Sequence, residues 1–355
     1  MTSATGGTAH GVSIGLSLYT GQADGGGPRF VDLPLLAAAA EGAGFDAFWV
    51  SEHHGFDDGY LPSPLVALAA AAQATSTITL ATGVVLATLQ HPVRLAEDAA
   101  VVDHLSGGRL LLGLGSGYLP AEFTRQGTPM AGRGRRLAEA LEVLRLAWTG
   151  ERFTYHGRLW SLEGVRVTPA PLRPIPVWLG GYADAAIDRA ATTAGHLVGR
   201  ASPELVDRAD RRLRASVRAG DPTFTFGVML TLAGDGPRAA GASARAAFAR
   251  QQLGYERAQT EGDAYAGRLP RPAGDRLLLG GIDAYIQLRG DAATLVEGIV
   301  TTAASLRHWP SLHLSLRALY PGEETGLQVE RVAWLGDEVL PEVRRRLGAL
   351  QDVAP

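Results

Sequence analysis

The chain has 355 residues, 46% hydrophobic and 19% charged, with a formal net charge of −3, no cysteine, and 33 basic residues that are all arginine, lysine being absent. This composition supplies apolar surface for a large core and carries no signature of disorder; without a basic block, neither nucleic acid nor an anionic membrane is expected as a partner. Missing cysteine excludes disulfides, thiolate metal sites and cysteine nucleophiles, and missing lysine excludes Schiff-base and lysine-nucleophile chemistry.

The first ten residues lack the charged and long apolar regions of a signal peptide, and no apolar run approaches ~20 residues, so a cytoplasmic protein is expected. Val12 to Tyr19 reads as a first strand, followed by a turn at Gly25-Gly26-Gly27-Pro28. Val31 to Ala43 has a helical pattern closed by Gly44, and Phe45 to Val50 is an apolar and aromatic strand of the kind buried on both faces of a parallel sheet. Ser63-Pro64 places an N-cap before proline at the first helical position and opens an Ala/Leu-rich helix to Ser76. Thr77 to Leu86 is a third strand. A helix over 91–105 carries Leu95, Ala99, Val102 and Leu105 at helical spacing and ends at Gly107-Gly108, ahead of a fourth strand from Arg109 to Gly115. Leu137, Leu141, Leu144 and Trp148 mark the next helix, stopped by Gly150.

Phe153-Thr154-Tyr155 and Leu159-Trp160-Ser161 flank His156-Gly157-Arg158, which predicts a small hairpin within 151–170. The alternation resumes with a strand over 176–180, a helix over 183–194, a strand over 196–199, a helix entered through Ser202-Pro203-Glu204, and a seventh strand over 223–233. Residues 238–256 fit a helix, whereas 259–282, rich in glycine with Pro270 and Pro272, reads as an inserted mobile loop. A helix over 291–307, a strand from Leu312 to Leu319 and a terminal helix ending near Leu350 complete eight strand–helix units. Eight units favour a closed (β/α)8 barrel, as one domain over 1–355, rather than an open doubly wound sheet.

Phe45–Val50 runs directly into Ser51-Glu52-His53-His54. Parallel α/β folds place chemistry at strand carboxyl ends, so Glu52, His53 and His54 are the first candidates, with a surface loop, a satisfied structural histidine and a metal-ligand pair as alternatives. Three glycine clusters also fall at or after strands. Thr82-Gly83-Val84 marks either a bulge or a close approach by a flat ligand. Gly113-Leu114-Gly115-Ser116-Gly117-Tyr118 lacks the third glycine of a dinucleotide fingerprint at the required spacing and opens no helix at once. Gly180-Gly181-Tyr182 leads into a helix, where freed N–H groups and the helix dipole suit one phosphate.

Together these stretches resemble the bacterial luciferase-like flavin-dependent monooxygenases. The likeness is carried in order by Phe45-Asp46 to Glu52-His53-His54, Ala81-Thr82-Gly83-Val84, His91-Pro92-Val93-Arg94-Leu95-Ala96-Glu97-Asp98, Leu105-Ser106-Gly107-Gly108-Arg109, Gly117 to Glu122-Phe123, Trp178-Leu179-Gly180-Gly181 and Leu335-Gly336-Asp337-Glu338-Val339-Leu340-Pro341. The resemblance implies a TIM barrel that binds reduced FMN, or in a sister branch reduced deazaflavin, at the carboxyl ends of its strands. His53 then matches the histidine that handles protons in oxygen activation; on physical grounds, apart from the resemblance, Glu52 or Asp57 is expected to orient it, with Glu52 alternatively capping a loop or pairing with an arginine. Thr82, Gly83 and Val84 match the strand against the isoalloxazine, where the family often has a non-prolyl cis peptide. Gly115 and Ser116 fall near the ring, Gly115 standing where luciferase has a cysteine. Arg136 with Gly180, Gly181 and Tyr182 matches the phosphate site.

The reaction so implied oxygenates a small organic substrate with O2 through a flavin (hydro)peroxide. A separate flavin reductase supplies the reduced FMN, since no nicotinamide fingerprint is present, and relatives pair as homodimers through the early helices. The rival within the fold is a deazaflavin-dependent oxidoreductase, which commonly shows Asp before the histidine and, in its sugar-phosphate dehydrogenases, an acid after the Gly-x-Gly of strand four; here Glu52 and Tyr118 stand there. A flavin-binding protein without turnover is a second rival, against which His53 counts. A metal-dependent hydrolase using His53, His54, His91 and His104 is the third, but the carboxylate-rich strand ends of such sites are missing, and no metal is expected.

Overall fold

A computed structural model describes residues 11–18, 20, 30–56, 58–217, 221–234, 248, 251 and 286–351. Tyr19, Asp57, most of the helix expected over 238–256 and the insertion over 259–282 lie outside the described residues. β1 (Gly11–Leu18) leads to α1 (Leu33–Gly42), β2 (Ala47–Val50) to α2 (Pro64–Ala74), and β3 (Thr79–Thr82) with β4 (Val85–Leu86) to α3 (Pro92–Ser106). β5 (Leu110–Gly115) is followed by α4 (Pro120–Arg125) and α5 (Arg133–Ala147), then by the hairpin of β6 (Phe153–His156) and β7 (Ser161–Val165). Next come β8 (Val177–Gly180), α6 (Asp184–Ala190), β9 (Gly195–Val198), α7 (Pro203–Ser216) and β10 (Thr225–Gly234). β11 (Leu288–Gly290), α8 (Ala292–Ser305), β12 (Ser311–Leu319), α9 (Thr325–Trp334) and α10 (Leu340–Gln351) complete the order.

Parallel pairing runs β1-β2-β3-β5-β8-β9-β10-β12, and β12 returns to β1 in a register that begins at Gly11 opposite Ser311. Eight strands therefore close a TIM barrel. Alternate residues of each strand face the lumen, where Ala47, Trp49, Ala81, Leu111, Trp178, Leu197 and Met229 form one buried cluster. Trp49 and Trp178 lie 5.4 Å apart between ring centroids, and the His313 ring sits 5.2 and 5.5 Å from them. Trp49 Nε1 donates to His313 Nε2 at 2.9 Å, so Nδ1 carries the ring hydrogen and meets Ser13 Oγ at 2.7 Å. Burial pushes the pKa of His313 down to about 3, and the imidazole is neutral filling. Among the described residues no helix is long and apolar enough to cross a membrane.

Several local details depart from expectation. The third strand is broken at Gly83 and resumes as β4, with the Gly83–Val84 peptide cis as the resemblance implied. Across the break, Thr82 Oγ1 donates to the Gly113 carbonyl at 2.8 Å, and a Cβ on Gly113 would lie 1.9 Å from the Thr82 carbonyl oxygen. The stretch read as either a bulge or a ligand approach is a pinch between two strands. Ser202 caps α7 through the Leu205 N–H as predicted, whereas Ser63 makes no side-chain cap and His91 caps α3 by accepting from Val93 N–H at 3.3 Å. α6 stops early because the Thr192 and Thr193 hydroxyls bind the carbonyls of Arg189 and Ala190, each at 2.8 Å. The hairpin is pinned to α5 by buried Glu139, whose carboxylate accepts the N–H groups of Arg158 at 3.1 Å and Leu159 at 2.9 Å.

The pinch generates a stability test. Gly113→Ala should lower the free energy of unfolding by about 3 kcal/mol or more, because the added methyl meets backbone that cannot yield. Gly134→Ala in α5, whose Cβ would meet only the tip of Arg189 at 3.4 Å, should leave the urea midpoint unchanged or slightly raised.

Candidate active site

β2 delivers the chain to the mouth of the barrel in extended form, and successive side chains point to opposite sides. Glu52 and His54 consequently meet each other, with Glu52 Oε1 2.6 Å from His54 Nε2, while Glu52 Oε2 accepts the Leu86 N–H at 3.1 Å. His53 faces the other way. Its Nδ1 lies 2.9 Å from Oε1 of Glu122, an oxygen that also accepts the His54 N–H at 3.0 Å. Glu52 therefore does not orient His53, contrary to expectation; it braces the segment against β4, and Asp57 lies outside the described residues.

Glu122 reaches this position from α4, which turns back over the mouth after Gly117. That glycine has φ of 70°, and a Cβ there would lie 2.9 Å from the ring of buried Phe123. Glu122 is 1% exposed, and its second oxygen has no hydrogen-bond partner among the described residues. Around the His53 ring stand Tyr60 at 5.0 Å, Phe56 at 5.3 Å and Tyr118 at 6.0 Å between centroids, all edge-on. Tyr60 is fixed in turn by a 2.6 Å hydrogen bond with Ser51 Oγ.

The glycine clusters of β5 and β8 converge on Val84. A Cβ on Gly115 would lie 2.6 Å from Val84 Cγ2, and one on Gly180 would lie 3.0 Å from Val84 Cγ1, so both bare positions make room for Val84. Gly83 rests against the Trp49 ring, and the Ser116 carbonyl accepts from Thr88 Oγ1 at 3.0 Å. Tyr182 lays its hydroxyl over Gly199 at the end of β9. Gly181 has φ of 149°, and a Cβ on it would come within 2.8 Å of the Ala186 methyl. One turn beyond Ala186 and on the same face of α6 stands Arg189, whose guanidinium reaches the first turn of α5 at Gly134.

The other face of α6 is acidic, with Asp184 and Asp188 paired to Arg208 at 2.7 Å and Arg212 at 2.5 Å of α7. Arg189 has no such pairing: its guanidinium has no hydrogen-bond or ion-pair partner among the described residues, and burial pushes its pKa down. Arg136 donates to the Pro129 carbonyl at 2.9 Å. Sequence reasoning missed Glu122, Tyr60 and Arg189 as site residues. Glu122 stood within a quoted motif without a role, and nothing along the chain distinguishes Arg189 from the other arginines of the helices. The four histidines weighed as ligands do not gather: His91 caps α3 and His104 binds the Ala170 carbonyl.

The Glu52–His54 pair sets a pH dependence. The hydrogen bond and charge of Glu52, aided by the charge of Glu122, raise the His54 pKa above 6.5 against the opposing effect of burial. A raised folded-state value means that this contribution to stability is complete below pH 6.5 and fades as pH rises through the elevated value. Glu52→Gln should therefore cost most stability near pH 6 and progressively less toward pH 9, about the range of histidine titration, in denaturation curves recorded across that range.

The luciferase-like monooxygenase family profile matches residues 12–308. The oxygenase component of the flavin-dependent trigonelline monooxygenase of Acinetobacter baylyi is 32% identical over 148 residues, covering 41% of each chain. The chain spans about half the length of the curated relatives it matches first. Monooxygenase RslO1 from Streptomyces bottropensis superposes with a TM-score of 0.71 at 23% identity, covering 93% of this chain and 99% of that one. An F420-dependent secondary alcohol dehydrogenase, solved with an F420–acetone adduct, superposes at 0.70 with 18% identity over 94% of this chain and 99% of its own. These structures share the barrel, and the profile match over most of the sequence shows that the chain belongs to the luciferase-like monooxygenase family.

Proposed function

We propose that the chain is a flavin-dependent monooxygenase that receives reduced FMN from a separate reductase and uses O2 to oxygenate a small organic substrate at the barrel mouth. One observation carries the reading: His53 follows β2 at its carboxyl end, bound to a buried carboxylate and ringed by aromatic side chains. Family membership supports it. The relative named as an oxygenase component supports the separate reductase.

The residues present suit such a cofactor. Thr82, Gly83, Val84, Gly115 and Ser116 would face the flat ring, with few side chains between it and the backbone. Gly180, Gly181 and Tyr182 would meet the phosphate, helped by Arg136 and by Arg189, a desolvated guanidinium to which a phosphate offers charge-assisted hydrogen bonds. Reduced flavin, when bound, supplies the electrons that activate O2. His53 takes up and returns a proton through its imidazole, which has one ring nitrogen able to donate and one able to accept. Phe56, Tyr60 and Tyr118 exclude water around it, and Ser51 keeps Tyr60 in place.

Titration of the apoprotein with reduced FMN and with reduced deazaflavin under anaerobic conditions tests the cofactor. Tighter binding of FMN is expected; binding of deazaflavin alone would move the chain to the oxidoreductase branch of the fold. His53→Ala should leave flavin affinity nearly intact while product formation falls by roughly 10² to 10⁴ and peroxide release rises. Arg189→Ala should weaken FMN binding by about 1.5–3 kcal/mol and leave riboflavin binding unaltered. Equal losses for the two ligands would remove Arg189 from the phosphate site. It is a cleaner probe than Gly181→Val, because the φ of Gly181 disfavours any side chain whether or not a ligand is bound.

A further inference from the structure

We infer that Glu122 is the positioning residue for His53: it fixes the ring hydrogen at Nδ1, so that proton exchange with a ligand runs through Nε2. The inference rests on the reading of His53 as the proton-handling group. A carboxylate offers acceptors only, and Glu122 Oε1 stands 2.9 Å from Nδ1, so the nitrogen on that side carries the hydrogen. In the neutral ring the lone pair is then at Nε2. A proton taken up there gives an imidazolium whose charge faces the Glu122 carboxylate, and the same proton leaves by the same nitrogen.

Three features set this pair apart from an ordinary surface contact. Glu122 is 1% exposed, and no arginine is paired with it among the described residues, so its charge is met by the His53 ring and the His54 amide. A buried carboxylate so sparsely partnered is costly to the fold, as its bare Oε2 shows. The His54 N–H on the same oxygen ties the position of the carboxylate to the backbone beside His53, so the ring and its acceptor move as one unit. Finally, the two carboxylate–imidazole pairs divide the work by geometry. Glu52 and His54 lock the segment to β4, which leaves the Glu122 pair to set the state of the ring that faces the aromatic cage. Among the described residues, the titratable groups about His53 are Glu122 from α4, Tyr60 from the loop after β2 and Tyr118 from the loop after β5, with Glu52 and His54 on the opposite side of the segment.

The test is the ring tautomer, read on the full-length, flavin-free protein labelled with ¹⁵N-histidine. Long-range ¹H–¹⁵N spectra distinguish the two neutral tautomers, and His53→Gln identifies its signals among the nine histidines. The wild-type ring should be hydrogenated at Nδ1. Glu122→Leu, which keeps volume and removes the acceptors, should shift the ring to the Nε2–H form. An Nε2–H ring in the wild type overturns the inference without any variant, and so does an Nδ1–H ring that persists in Glu122→Leu. Because no flavin is present, failure here is separable from failure of the cofactor reading, which the titration with reduced FMN decides.

Discussion

Two indoles and a neutral imidazole fill the lumen at one level, and the rest of the barrel is arranged around that bulk. Three glycines on three different strands make the space. A Cβ on Gly15 would lie 2.6 Å from Trp49 Nε1, one on Gly195 would lie 2.7 Å from Trp178 Nε1, and one on Gly227 would lie 3.0 Å from the Trp178 ring. Large rings facing absent side chains are how a closed barrel reaches interior packing density without voids. The polar edges are satisfied as well: Trp49 N–H has His313 as acceptor, and His313 has Ser13. A filled floor confines ligand chemistry to the carboxyl ends of the strands, where β2, β4, β5 and α4 converge.

At that end the decisive physical fact is the alternation of an extended chain. Glu52, His53 and His54 are consecutive, yet they join two separate constellations because their side chains leave the backbone on opposite sides. The Glu52–His54 pair secures the loop, and His53 receives its carboxylate from a helix about 70 residues further on. A short helix can serve as that carboxylate's platform because Gly117 allows the turn and Phe123 anchors it in the core.

Much of this was legible along the chain. The mostly apolar stretches at Phe45–Val50 and Leu110–Gly115 announced buried parallel strands, and Gly107, with φ of 67°, ended α3 where the sequence placed it. His53 was legible because it follows a strand directly. The irregularity of the third strand at Gly83 was legible too, but its cause, a carbonyl of one strand meeting a glycine of another, was not. Nor was the start of α5: its first turn, Arg133-Gly134-Arg135-Arg136, carries no apolar periodicity. Glu122 and Arg189 escaped for a related reason. A charged residue in a helix reads as solvated until tertiary packing shows what surrounds it, and that is a property of neighbours remote in sequence.

The pairing of β1 with β12 carries a further consequence for the life of the chain before it is complete. Gly11 is matched to Ser311 and the ladder continues to Leu319, so the first strand of the barrel to be synthesised waits for the last strand of the barrel to find its partner. During synthesis β1 presents an unpaired edge beside an open array of apolar strands, a surface on which nascent chains associate with one another. Closure by so distant a partner is also slow, because the entropy of the intervening loop must be lost before the contacts form. Yield from the cell is thereby tied to the last strand of the ring, and chains released before Leu319 would leave the barrel open however sound the residues at its mouth.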